Sequence, residues 1–217
     1  MFGRWAASEP SRVCDENRAL SRNAPAMTAL PHERLTLDEF VAWELAQEAR
    51  HEWLAGDIFA FAGGTIEHAA IAGNLFVVVA DHVRGTPCRV FGSDMLVVTQ
   101  RSVRYTDLVI TCDARDLERG TTRLRFPTCI VEVLSRTTAA VDRGEKFDEY
   151  RTIPTLQEYV LVDSRRRWVE IFRRDGSDMR ALPEITIGSV SLASIGLDIA
   201  LEAIYRDVRF DDELTSG

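Results

Sequence analysis

The sequence predicts an α/β fold in which a mixed β-sheet is flanked by helices. Three observations lead there. Short apolar runs rich in Val, Ile and Phe recur between residues 87 and 173, each bounded by turn residues. Two stretches with helical spacing, 37–45 and 65–84, precede them. The resulting order of helix, strands, helix, strands, helix and hairpin is that of a sheet with helices on its faces.

The 217 residues suffice for one domain with a substantial core. Hydrophobic residues make up 46% and charged residues 28%, ordinary values for a globular protein. The net charge of −8 argues against a uniformly basic nucleic-acid coat protein, but leaves room for a local basic cleft. No apolar stretch is long enough to span a bilayer, and no secretory h-region is legible, so a cytoplasmic location is expected. The four cysteines form no C-x-x-C pair. Cys112 and Cys129 read as small buried hydrophobes in a reducing compartment.

Residues 1–30 lack sustained periodicity and are expected to form a disordered tail, with Met27 a candidate alternative start. The domain is expected over 31–207, and 208–217 as a frayed C-terminal tail. Thr36 and Glu39 fit a capping box opening the first helix. Residues 51–61 read as a hairpin turning at Ala55-Gly56-Asp57. Gly63-Gly64 breaks the chain before a second helix over 65–84, apolar on most faces and so expected against the sheet.

Two short strands are expected around Gly92-Ser93, a third over 104–111 and a fourth over 128–134. A charged connection, 113–125, separates the last two. A helix over 141–150 follows, then a hairpin of 157–162 with 167–173, and a closing strand and helix within 188–204.

Two of these strands carry an embedded carboxylate, Asp107 in YTDLVIT and Glu132 in CIVEVL. On a continuous strand Tyr105, Asp107 and Val109 would share a face. A charge within an apolar run is costly unless it is paired or ligates something. For Asp107 a bond to a loop would serve, and for Glu132 a salt bridge to an arginine. Lys146 follows on the next helix. Its spacing from Asp142 also suits an i,i+4 ion pair worth ~0.3–0.5 kcal/mol. Two carboxylates and an ammonium from neighbouring elements are the minimum needed to hold a hard divalent cation beside a phosphate.

The order of these features carries a resemblance. An acid in one strand, E-x-hydrophobic in the next, D-R-G-x-K-x-x-x-Y opening a helix and E-Y-V-L-V-D in a hairpin resemble the Uma-type restriction-endonuclease-like family of the PD-(D/E)XK nuclease superfamily. The resemblance runs from about Leu35 to Tyr205. It implies a restriction-endonuclease-like fold and a metal-dependent endonuclease hydrolysing phosphodiester bonds, with DNA as the expected partner and Mg (or Mn) as cofactor. The alternative it leaves is an inactive nuclease-fold module that binds nucleic acid or a protein.

Carried over by position, Asp107 and Glu132 match the metal-binding acids, and the Val133 carbonyl faces the metal. Lys146 matches the lysine, displaced to the helix because Leu134 occupies its usual place. Thr106 stands where the motif has proline. Glu52, in the first hairpin, matches an acid that completes the catalytic set, or bonds an arginine across the hairpin. His68 matches a position near the start of the second helix, where a surface role would serve equally. Tyr150 shares the Lys146 face and suits a core role. The arginines at 165, 166, 167, 173 and 174 suit either a phosphate backbone or plain solvation. Cutting both strands of a duplex makes a homodimer plausible.

Overall fold

The computed structural model describes residues 34–61 and 63–210. The N-terminal tail expected over 1–30 lies outside these residues, as do positions 211–217 of the C-terminal one. Of positions 208–210, Val208 and Phe210 are buried in the main core.

Helix α1 (Leu37–Glu44) opens with the expected capping box. Glu39 accepts from the Thr36 backbone N–H at 2.8 Å, and Thr36 Oγ1 accepts from the Glu39 N–H. Strands β1 (His51–Leu54) and β2 (Asp57–Ala60) form the hairpin, and α2 (Ile66–His82) begins at its N-cap Thr65. The following strands are β3 (Arg89–Phe91), β4 (Leu96–Val98), β5 (Ser102–Tyr105), β6 (Leu108–Thr111), β7 (Arg123–Leu124) and β8 (Cys129–Leu134). After α3 (Ala139–Val141), a π-helical turn (Asp142–Lys146) and α4 (Phe147–Tyr150) come β9 (Glu158–Asp163) and β10 (Val169–Asp175). Strands β11 (Asp178–Ala181), β12 (Ser189–Leu192) and β13 (Leu197–Ala200) and helix α5 (Leu201–Ile204) complete the described chain.

The strands form two principal sheets, where the sequence suggested one. The first runs β2-β1-β5-β4-β7 and the second β11-β10-β9-β8-β6-β3; β12 and β13 pair separately. The β4–β7 and β8–β9 pairs are parallel and the others antiparallel. The second sheet is the central layer. Ile71, Leu75 and Val79 of α2 pack on one face with Val131 and Val133, while Tyr150, Ile153 and Leu156 cover the other with Ile130 and Leu134. The alternation along β8 follows from the period-two pleat.

The expected strand over 104–111 is two strands. The chain leaves the first sheet at Tyr105 and enters the second at Leu108, so Thr106 and Asp107 form the seam. Tyr105, Asp107 and Val109 therefore do not lie along one strand face. Apolar content could not reveal this break, because both strands are fully buried. The cysteine expectation also needs correction. Cys88 and Cys112, the one just before Arg89 and the other just after Thr111 at the end of the β3–β6 register, are disulfide-linked, and Cys129 is a buried free thiol. The hairpin of β12 and β13 and the strand β11 were not anticipated in full; their short, half-exposed runs carry little periodic signal. Among the described residues no helix is long and apolar enough to cross a membrane.

Candidate active site

The seam between the sheets creates the first site residue. The β6–β8 ladder pairs Leu108 with Val131 and goes no further, which leaves the Val133 N–H without a strand partner. Asp107 supplies it: Val133 N donates to Asp107 Oδ2 at 2.7 Å. The carbonyls of Thr128 and Leu134 accept from the β9 side, so alternation turns the Val133 backbone groups toward Asp107.

His68, in the first turn of α2, places Nε2 3.1 Å from the same Asp107 oxygen. Gly64 permits this. A Cβ there would come within 2.6 Å of His68 Nδ1, so any side chain would displace the imidazole. Burial pushes the His68 pKa down, but the hydrogen bond and charge of Asp107 outweigh it and leave the value raised.

Glu132 lies at the centre of β8 and is 3% exposed. Lys146 Nζ donates to its Oε1 at 3.0 Å and Tyr150 Oη donates to the same atom at 3.4 Å. Lys146 Nζ also lies 2.9 Å from Asp142 Oδ1, without the alignment of a hydrogen bond. Lys146 thus pairs both with Asp142 one turn back and with the strand acid. Asp142 and Lys146 bound the π-helical turn, and their four-residue spacing puts both on its buried face. Tyr159 anchors the turn by donating to the Asp142 carbonyl at 2.9 Å.

The electrostatics follow from burial. Desolvation raises the Glu132 pKa well above the carboxylate range; Lys146 pulls it back, while Asp142 and Asp107 push it up further. Desolvation alone would lower the Lys146 pKa, yet Glu132 and Asp142 overcome that and hold it above its ordinary value.

Asp107, Glu132, Lys146, His68 and Asp142 all line one cleft of about 410 Å³, with Tyr105 and the Ser135–Thr138 loop at its rim. Glu52 is not among the lining residues. Its Oε2 accepts from Arg104 at 3.1 Å and its Oε1 from the Tyr105 N–H at 3.2 Å. Arg104, 1% exposed, also grips Glu149 of α4 through Nε and a terminal nitrogen, both at 2.9 Å. Glu52 thus sits behind the cleft and adds its field to Lys146 and Tyr150. Thr106, in the proline position, is buried, and its Oγ1 has no hydrogen-bond partner among the described residues.

Whether a hard cation suits this cleft can be judged from its donors. Among the described residues no cluster of three or more His, Cys, Asp or Glu could hold a metal. The bonds above occupy one oxygen of each strand acid and leave Asp107 Oδ1 and Glu132 Oε2 without a protein partner among the described residues. Two such carboxylate oxygens from neighbouring segments suit Mg, which takes few protein ligands and keeps its waters. Sequence reasoning gave Asp142 only a helical ion pair with Lys146, and Tyr150 a core role. Their contribution depends on how the segment after β8 packs back on that strand, which leaves no readable period.

Comparison with known proteins places these residues in a family. The Uma2 family, described as "Putative restriction endonuclease", matches residues 37–202. The protein slr1290 of Synechocystis sp. is 35% identical over 183 residues, covering 83% of this chain and 96% of its own length. A second Synechocystis protein, sll1609, is 30% identical over 154 residues, covering 70% and 87%. Among solved structures, one described as a "putative nuclease belonging to DUF820" from Anabaena variabilis matches with a TM-score of 0.65. It covers 79% of this chain and 97% of its own, at 17% identity, a likeness of fold.

Proposed function

The chain belongs to the Uma2 family, and from that membership we propose that it is a Mg- or Mn-dependent endonuclease that hydrolyses phosphodiester bonds in DNA. The observation that carries the reading is the meeting of Asp107, Glu132 and Lys146 in one cleft, with one oxygen of each acid left without a partner among the described residues.

Asp107 Oδ1, Glu132 Oε2 and the Val133 carbonyl would hold the cation. The chemistry it supplies there is polarisation of a phosphoryl oxygen and acidification of water. Lys146 stands beside the scissile phosphate, where its ammonium orients the attacking water and offsets charge developing on the phosphoryl oxygens; such groups supply about a hundred- to several-thousand-fold in rate. Its raised pKa keeps it charged at neutral pH. His68 orients Asp107 through Oδ2 and Tyr150 orients Glu132 through Oε1. Glu52 contributes at one remove, by fixing Arg104 and through it α4. A homodimer would supply a second site for the opposite strand.

The test is cleavage of supercoiled and linear DNA with Mg or Mn by wild type, Asp107→Ala, Glu132→Ala and Lys146→Ala. Wild type should nick and linearise the substrate, and each variant should lose at least about a hundredfold in rate. Cleavage that survives the loss of both acids would remove the assignment. Binding by wild type without cleavage under any divalent metal would favour the silent module instead.

A further inference from the structure

The β9–β10 turn carries three consecutive arginines, Arg165, Arg166 and Arg167, all exposed. It is anchored at two points. On one side Ser164 donates to the Leu134 carbonyl from its N–H at 3.1 Å and its hydroxyl at 2.7 Å, tying the turn to the end of the Glu132 strand, where the Ser135–Thr138 rim begins. On the other, the indole of Trp168 has two guanidinium groups over its ring. Arg143 of the π-turn lies 4.6 Å from the ring centroid and Arg166 lies 5.4 Å away. The turn is therefore held beside the helix that presents Lys146.

These arginines are not equivalent. Arg165 is committed to the buried Asp163, which it grips at 2.9 and 2.8 Å, and it shapes the turn. Arg166 has only a loose contact with that acid, 3.5 Å, and is mostly exposed. Arg167, and Arg136 on the rim loop, are exposed and have no ion-pair partner among the described residues. Free guanidinium groups beside a cleft, in a protein of net charge −8, make a local positive surface on an otherwise repulsive body.

We propose that the β9–β10 turn and Arg136 form a contact surface for the sugar–phosphate backbone of duplex DNA leaving the cleft, with Arg136, Arg166 and Arg167 each facing a phosphate. The proposal rests on the nuclease reading for the placement of the scissile bond. A polymer cut in the cleft must run its neighbouring phosphates over the rim. Planar guanidinium forks suit phosphate oxygens, and cations on Trp168 are held in place before the strand arrives. The contacts carry no base information, so the surface positions the duplex rather than selecting a sequence.

The test is fluorescence-anisotropy binding of a labelled duplex to the full chain in EDTA, where metal-dependent cleavage cannot occur, across a salt series. Each phosphate contact removed should lower the slope of log K against log salt by about 0.9, so the triple variant Arg136→Ala, Arg166→Ala, Arg167→Ala should lose about 2.7 in slope. The same three positions changed to Lys should retain the slope, which separates lost charge from lost fold. A triple-alanine slope equal to wild type, or wild type with no salt-dependent affinity, overturns the proposal. So does displacement of a labelled acidic peptide from this surface when duplex has no effect, which would assign it to a protein partner. The two readings fail separately. Metal-dependent cleavage with an unchanged slope sinks the surface alone, and a reduced slope without cleavage sinks the nuclease alone.

Discussion

Lys146 and Glu132 form an ion pair at 3.0 Å in which neither side chain is more than 10% exposed. Fourteen positions separate them, and they meet because the helix after β8 folds back across the strand that precedes it. Removing one charge strands the other in an apolar setting. Lys146→Met should therefore destabilise by about 3–5 kcal/mol, and adding Glu132→Gln should recover part of that loss. Urea unfolding of the two single variants and the double variant measures both. Additive losses would show that the pair does not interact.

Cation binding should register without turnover. Ligand that binds only the folded state stabilises it, by about 2.7 kcal/mol at a hundred times Kd, so Mg should raise the melting temperature. Asp107→Asn should abolish the rise. His68→Ala should shift the Mg dependence to higher concentration by about ten- to a hundredfold, because it frees the Asp107 carboxylate to rotate. Gly64→Ala should do the same by displacing the imidazole. A Mg-induced rise unchanged in Asp107→Asn would place the ion elsewhere.

Arg104 joins the first sheet to α4 through Glu52 and Glu149. Arg104→Met leaves both carboxylates buried without a cation and should cost about 3–5 kcal/mol in chemical denaturation. Arg104→Lys should recover only part, since a single ammonium cannot reproduce the parallel bonds to Glu149. Full recovery by lysine would show that charge alone matters.

Asp163 offers a pH test away from the cleft. Burial would raise its pKa, but the hydrogen bonds and charge of Arg165 overcome that and hold it below the ordinary 3.8. A depressed carboxylate stabilises the fold above its unfolded pKa, and that contribution disappears as pH falls through the folded one. Asp163→Asn should therefore be less stable than wild type at pH 7 by about 1–3 kcal/mol, with the gap closing below pH 3.8. Urea midpoints across that range are the measurement, and a constant gap would show that ionisation plays no part.

Thr106 is the reverse case. Its hydroxyl is buried and lacks a partner among the described residues. Thr106→Val keeps the shape, removes that hydroxyl and should stabilise by about 1 kcal/mol, read from the shift in melting temperature. A loss of stability would indicate that the hydroxyl has found a partner such as a bound water.

The sequence by itself determined the pieces with a strong local signal. The Thr36–Glu39 cap, the turn at Gly56, the long apolar helix after Gly64 and the buried strands around Glu132 and Tyr159 follow from period, capping and turn chemistry within a few neighbouring residues. The same local reading marked Asp107 and Glu132 as costly charges in need of partners and set Lys146 on the following helix. Only the tertiary structure decided what those partners are. The seam that frees Asp107, the π-turn that aims Asp142 with Lys146, the placing of Glu52 behind Arg104 and the pairing of Cys88 with Cys112 each depend on which strands lie side by side. Strand neighbours are chosen by burial summed over whole faces, and that choice leaves no periodic trace in the residues that meet.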